Sequence, residues 1–173
     1  MRINLHVIVI GAGLTGSFFL KEMIAYLHMK QENLIRTDIT VFDPGSIGKE
    51  DLGAVYIRED LGQNRALLLS ELLKEQYDYE VTAVPGDFSV GSPVLQISKR
   101  DYVFMVDCSD GSIPGDYRTE WKKLSAKRKL YLKFADAKLY LDDGSGTEQR
   151  AGSGGAGISG GVSALFGSAE AEK

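Results

Sequence analysis

The hydrophobic positions fall into short blocks with two different periods. Leu5 to Ile10 is an almost unbroken apolar, β-branched run, the composition of a strand buried on both faces of a parallel sheet. After a glycine turn, Phe18, Phe19, Met23, Ile24 and Leu27 recur at helical spacing, and the pattern predicts a helix that ends near Lys30. Asp38 to Phe42 is a second β-rich run, stopped by the turn tripeptide Asp43-Pro44-Gly45. A strand, helix and strand in this order form a right-handed crossover, so the two strands are expected side by side and parallel.

Further along, Asp60 reads as a helix cap, followed by Leu61, Leu67, Leu68, Leu72 and Leu73 on a helix ending around Tyr77. Glu80 to Val84 and Asp101 to Val106 predict a third and a fourth strand, with Pro85 to Pro93 as loop between them. Trp121 and Leu124 stand among many charges in Gly115 to Lys129, which predicts an exposed surface helix. Leu130 to Phe134 and Lys138 to Leu141 suit two later strands. The alternation predicts an α/β, Rossmann-like domain over residues 1–142, with a mostly parallel sheet and helices on both faces. From residue 143 to 173, glycine, serine and alanine dominate, and a flexible tail is expected there, with Val162 to Phe166 its only apolar spot.

Composition narrows the function classes. With 173 residues and 43% hydrophobic content, one ordinary core is possible. A net charge of -4 supplies no general field for nucleic acid or an anionic membrane. Cys108 is the single cysteine, which excludes an internal disulfide and a cysteine-only zinc site and fits a reducing, cytoplasmic setting. The apolar stretch before Gly11 is too short for a signal-peptide core or a membrane span.

The candidate chemistry lies in Gly11-Ala12-Gly13-Leu14-Thr15-Gly16-Ser17, a G-x-G-x-x-G fingerprint between a buried strand and an amphipathic helix. Gly11 would permit the tight turn, Gly13 would let backbone N–H groups approach a phosphate, and Gly16 would let the helix pack close to the strand. The helix N-terminus then offers unpaired donors to the anion. Asp43, at the end of the second strand, stands where this fold places an acid for ribose hydroxyls; alternatively it simply opens the Pro-Gly turn.

The order of three blocks resembles the ThiF/MoeB/E1 family of ATP-dependent adenylyltransferases. The blocks are Gly11 to Ser17, Val41 to Ala66 and Val106-Asp107-Cys108-Ser109-Asp110-Gly111. The resemblance implies ATP and Mg²⁺ as cofactors, with Gly11, Gly13, Gly16, Ser17 and Asp43 holding the nucleotide. It also implies that Asp110 helps bind the metal, and that a small ubiquitin-like or sulfur-carrier protein is activated at its C-terminal carboxylate. A homodimer is the expected assembly, with no role for nucleic acid or membrane. The family lysine is matched by Arg65, which keeps the charge and changes the donor geometry. Where the family has Asn and Arg-Gln, this chain has Asp51, Ala54 and Val55, and Arg58 is the nearby residue that could replace the missing cation. Gly45 and Gly111 replace a second acid and an asparagine, and Cys108 reads as a packed residue rather than a thioester nucleophile. Two other readings stay open. A nicotinamide or flavin oxidoreductase would use the same turn, but His6 and His28 lie where packing explains them; a non-catalytic nucleotide-binding scaffold would need no missing cation.

Overall fold

The computed structural model of the chain describes residues 3–30, 35–53, 55–109, 117–134, 138–142 and 149–150. Strands β1 (Ile3–Ile10), β2 (Ile35–Phe42), β3 (Val81–Val84), β4 (Tyr102–Asp107), β5 (Arg128–Lys133), β6 (Lys138–Asp142) and β7 (Gln149–Arg150) form one sheet in the order β3-β2-β1-β4-β5-β6-β7. The five strands from β3 to β5 run parallel; β6 pairs antiparallel with β5, and β7 antiparallel with β6. Helices α1 (Leu14–Lys30), α2 (Arg65–Tyr77) and α3 (Tyr117–Lys123) complete the Rossmann-like α/β fold.

The apolar runs occupy the centre for the reason their composition suggests. Side chains alternate across a strand, so a strand covered on both faces must be apolar at both parities. Leu5, Val7 and Val9 of β1 join Phe104 and Val106 of β4 in a core with Phe19, Leu20, Met23 and Ile24 of α1 and Ala66, Leu69 and Leu73 of α2. Ile8 and Ile10 face the other way and pack with Val103, Met105, Phe88, Tyr117, Trp121 and Leu124. α1 and α2 thus cover one face, while α3 and the segment around Phe88 cover the other.

Three expectations about element limits change. The second helix starts at Arg65, not at Asp60: Asn64 is its cap, with a side-chain oxygen that accepts the Leu67 N–H at 3.1 Å. Asp60 instead closes a 3₁₀ turn over Arg58–Asp60 by accepting the Ile57 N–H at 2.8 Å. Gly62, at φ 86°, then breaks any helical path from Asp60 to Arg65. Among the described residues the third helix is Tyr117–Lys123, and it is not a purely exposed one. Tyr117 and Trp121, four residues apart, put two aromatic rings on one buried face and leave Lys122 and Lys123 exposed. β2 begins at Ile35, three residues earlier than its apolar run, because pairing with β1 continues through Arg36 and Thr37.

Of the segment expected as a tail, Gln149 and Arg150 pair with β6 as β7. The rest of that segment lies outside the described residues.

Candidate functional site

The connection leaving β1 turns toward β2, whereas β4 lies on its other side. The carboxyl ends of β1 and β4 therefore flank the point where strand order reverses, the place where open α/β sheets form their binding crevice. The glycine turn sits there. It is fastened on both sides: the Gly11 N–H donates to Phe42 O at 2.9 Å, and the Cys108 N–H donates to Ile10 O at 2.8 Å.

Each fingerprint glycine meets a different physical constraint. Gly11 adopts φ 88°, and a Cβ on it would lie 3.1 Å from the backbone of Cys108 and Ser109. Gly16 is the most restricted, since a Cβ there would lie 1.9 Å from Gly11 O. Helix α1 can approach the turn this closely only without that carbon. At Gly13 the neighbour is a side chain: a Cβ would lie 2.9 Å from Oδ1 of Asp51. Ser17 is fully buried, and its hydroxyl donates back to Leu14 O at 3.1 Å.

Asp43 is buried at the end of β2, with a side chain 1% exposed. Its Oδ2 accepts the Ala12 N–H at 2.7 Å, and its Oδ1 accepts the Gly45 N–H at 2.7 Å. The carboxylate braces the glycine turn against the Asp43–Gly45 turn, so the ribose and turn roles foreseen for it are not exclusive. Each oxygen retains a second lone pair. Asn64 extends the brace by donating from Nδ2 to Asp43 O at 3.1 Å and to Gly45 O at 3.0 Å. One residue thereby both caps α2 and ties its start to the end of β2.

Arg65 follows that cap and reaches back over the site. Its Nε donates to Asp51 Oδ2 at 2.8 Å, its Nη1 lies 3.8 Å from Asp43 Oδ2, and its Nη2 lies 3.6 Å from Glu50 Oε1. Burial disfavours the charged guanidinium, but attraction to Asp43 and Asp51 outweighs it and raises the Arg65 pKa. Asp51 is 3% exposed, and its Oδ2 also accepts the Gly48 N–H at 2.8 Å. Tyr56 lies beneath this cluster, with its hydroxyl 2.7 Å from Ala12 O and 3.1 Å from Arg65 O, sharing one proton between two acceptors. Burial, reinforced by Asp43 and Asp51, pushes its pKa far up, so it stays a neutral donor.

On the β4 side, Asp107 Oδ1 accepts the N–H and the hydroxyl of Ser109, and Oδ2 accepts the Tyr131 hydroxyl at 2.8 Å. Cys108 is buried, and desolvation beside Asp107 pushes its thiol pKa well up, which opposes thiolate formation. Phe42, Phe88 and Tyr117 run below Asp43 in edge-to-face contact, with centroids 5.3 and 6.1 Å apart. Burial, followed by Asp87, Asp107 and Asp43, pushes the Tyr117 hydroxyl up to about 12.

The structure therefore brings Gly11, Gly13, Gly16, Asp43 and Arg65 together. Arg58 is exposed on its 3₁₀ turn, and no described ion pair joins it to this cluster. Asp110 lies outside the described residues. Among the described residues no group of three or more His, Cys, Asp or Glu side chains is placed to hold a metal ion. The sequence marks Asp51 only as a departure from Asn, and Glu50 and Tyr56 carry no site signal there. The best available signal was Asn64, a strong cap residue immediately before a leucine-rich run.

A glycine turn braced by a buried strand-end carboxylate, at the switch point of a parallel sheet, defines a Rossmann-like domain. Solved structures of E. coli MccB share this fold. One with ATP aligns at TM-score 0.52 and 12% identity over 95% of this chain and 48% of that chain. One with AMPCPP and MccA aligns at TM-score 0.51 and 12% identity over 97% and 48%. One with succinimide aligns at TM-score 0.51 and 12% identity over 79% and 38%. The chain thus spans less than half the length of these neighbours. No protein-family model matches the sequence. No curated relative matches it either. No helix among the described residues is long and apolar enough to cross a membrane.

Proposed function

We propose that this chain is a nucleotide-binding domain of the ThiF adenylyltransferase type. It would bind ATP at the glycine turn and act on the C-terminal carboxylate of a small ubiquitin-like or sulfur-carrier protein, with reduced or lost catalysis. The observation that carries the reading is the junction of Asp43 with the glycine turn through the 2.7 Å bond from Ala12 N–H. It holds a ribose acceptor and a phosphate-facing backbone in one fixed relation. The neighbouring fold of E. coli MccB with ATP supports an adenine nucleotide, and that with AMPCPP and MccA loosely supports a small polypeptide partner.

In this reading the α1 N-terminus faces the phosphates and Arg65 is the nearest described cation. Adenylation would join a carboxylate oxygen to the α-phosphorus and release pyrophosphate, a reaction that depends on positioning and charge neutralisation. Mg²⁺, with Asp110 as its expected ligand, belongs to the proposal. The assembly is proposed as a homodimer in the cytoplasm.

A non-catalytic scaffold is the second reading, favoured by one observation: Arg65 is already shared among Asp43, Glu50 and Asp51. Exchange of labelled pyrophosphate into ATP, with Mg²⁺ and a panel of ubiquitin-like proteins, tests the enzymatic reading. Exchange that depends on one panel member supports it. Saturable ATP binding without exchange, for any member, leaves the scaffold.

A further inference from the structure

The space that Gly13 leaves open is filled from within the chain. Among the described residues, chain neighbours apart, the one heavy atom within 4 Å of a Cβ built on Gly13 is Oδ1 of Asp51, at 2.9 Å. The other oxygen of Asp51 holds Arg65 Nε at 2.8 Å. A single buried carboxylate therefore lies against the open side of the glycine turn and also occupies the cation nearest to it. Glu50 and Asp43 flank the remaining guanidinium nitrogens at 3.6 and 3.8 Å, so one positive charge is surrounded by three negative ones.

We propose that Asp51 is an internal competitor for the anion seat at the glycine turn, and that it sets how much phosphate charge the site accepts. This rests on the nucleotide reading above. A phosphate approaching Gly13 must displace Oδ1 of Asp51 and must recover Arg65 from its carboxylate partners. Displacing Oδ1 of Asp51 opposes a polyphosphate and not a nucleoside, because Asp43 is held by the Ala12 and Gly45 N–H groups at 2.7 Å and meets Arg65 only at 3.8 Å. The carboxylate is buried, so it also adds like-charge repulsion that is weakly screened. Asparagine has nearly the same shape and can still accept the Gly48 N–H, but it carries no charge, so Asp51→Asn separates charge from packing.

The test is a titration of the full chain and of its Asp51→Asn and Asp51→Ala variants with adenosine and with ATP. Asp51→Asn is expected to tighten ATP by about tenfold or more and to leave adenosine within about twofold, given the strength of a unit charge at such distances. Asp51→Ala is expected to follow it in direction. The unchanged adenosine affinity reports that the site is still folded. If adenosine binds all three proteins and the ratio of ATP to adenosine affinity is unaltered, the competitor role is overturned while the nucleotide reading survives. If neither ligand binds any of the three, the nucleotide reading fails and the role of Asp51 falls with it.

Discussion

Replacing Gly16 by alanine tests the tightest of the approaches made at the described glycines. A Cβ on Gly16 would lie 1.9 Å from the Gly11 carbonyl oxygen and 2.9 Å from its carbon. Carbon–oxygen contacts settle at about 3.3–3.6 Å, so α1 and the turn would have to separate by more than about an ångström. No rotamer change can provide this, because both clashing atoms are backbone. Nor can the turn retreat: Gly11 is bonded to Phe42 O, and its own Cβ position is 3.1 Å from the Cys108 backbone. Alanine does favour a helix over glycine, by at most about 1 kcal/mol. Overpacking a rigid site costs about 1–3 kcal/mol and sometimes more, and this contact belongs at the upper end. The net effect expected for Gly16→Ala is a loss of about 2 kcal/mol, or about 4–8 °C in Tm for a chain of this size. Gly86→Ala is the control, since nothing lies within 4 Å of its Cβ position and its φ is ordinary; there the change should stay within about 1 kcal/mol. Thermal melts followed by circular dichroism read both variants. A Gly16→Ala protein that melts at or above the wild type would refute the packing of α1 on the glycine turn.

Two further outcomes follow from burial and pairing. Cys108 should resist alkylation by iodoacetamide at pH 8 in the native protein and react readily in denaturant; fast native labelling followed by mass spectrometry would contradict a buried, protonated thiol. Burial raises the Asp101 pKa, but hydrogen bonds from Ser98, Asn4 and His6 outweigh it, and the net direction is down. A depressed carboxylate contributes stability that is present above its unfolded pKa of about 3.9 and is lost as pH falls through the lower folded value. Asp101→Asn should therefore cost about 2 kcal/mol in urea melts at pH 7. The gap should close as the pH falls below about 3.9, and a gap independent of pH would contradict the pairing.

Much of the frame was legible because it rests on local composition. Val7 to Ile10 and Val103 to Val106 read as central strands because a strand covered on both faces has no place for polar side chains. The demands on Gly11 and Gly16 were legible too, since turn geometry and close packing leave few alternatives. The start of α2 was not, because Asp60 and Asn64 are both good caps, and what decides between them is the positive φ of Gly62 together with the bonds from Asn64 to Asp43 and Gly45. The burial of Trp121 was hidden by the lysines beside it. In the site, the bracing role of Asp43 and the contact of Asp51 with Gly13 and Arg65 join residues 14 to 38 positions apart, and no spacing rule connects such pairs.

The glycine turn and Asp43 are proposed to form an ATP site rather than a dinucleotide site. Calorimetric titration of the full chain with ATP and with NADH, each with and without Mg²⁺, tests it most directly. Saturable binding of ATP, about tenfold or more tighter than that of NADH and lost in Gly13→Glu, is the result the account predicts. Tighter binding of NADH, or no binding of either ligand, would contradict it.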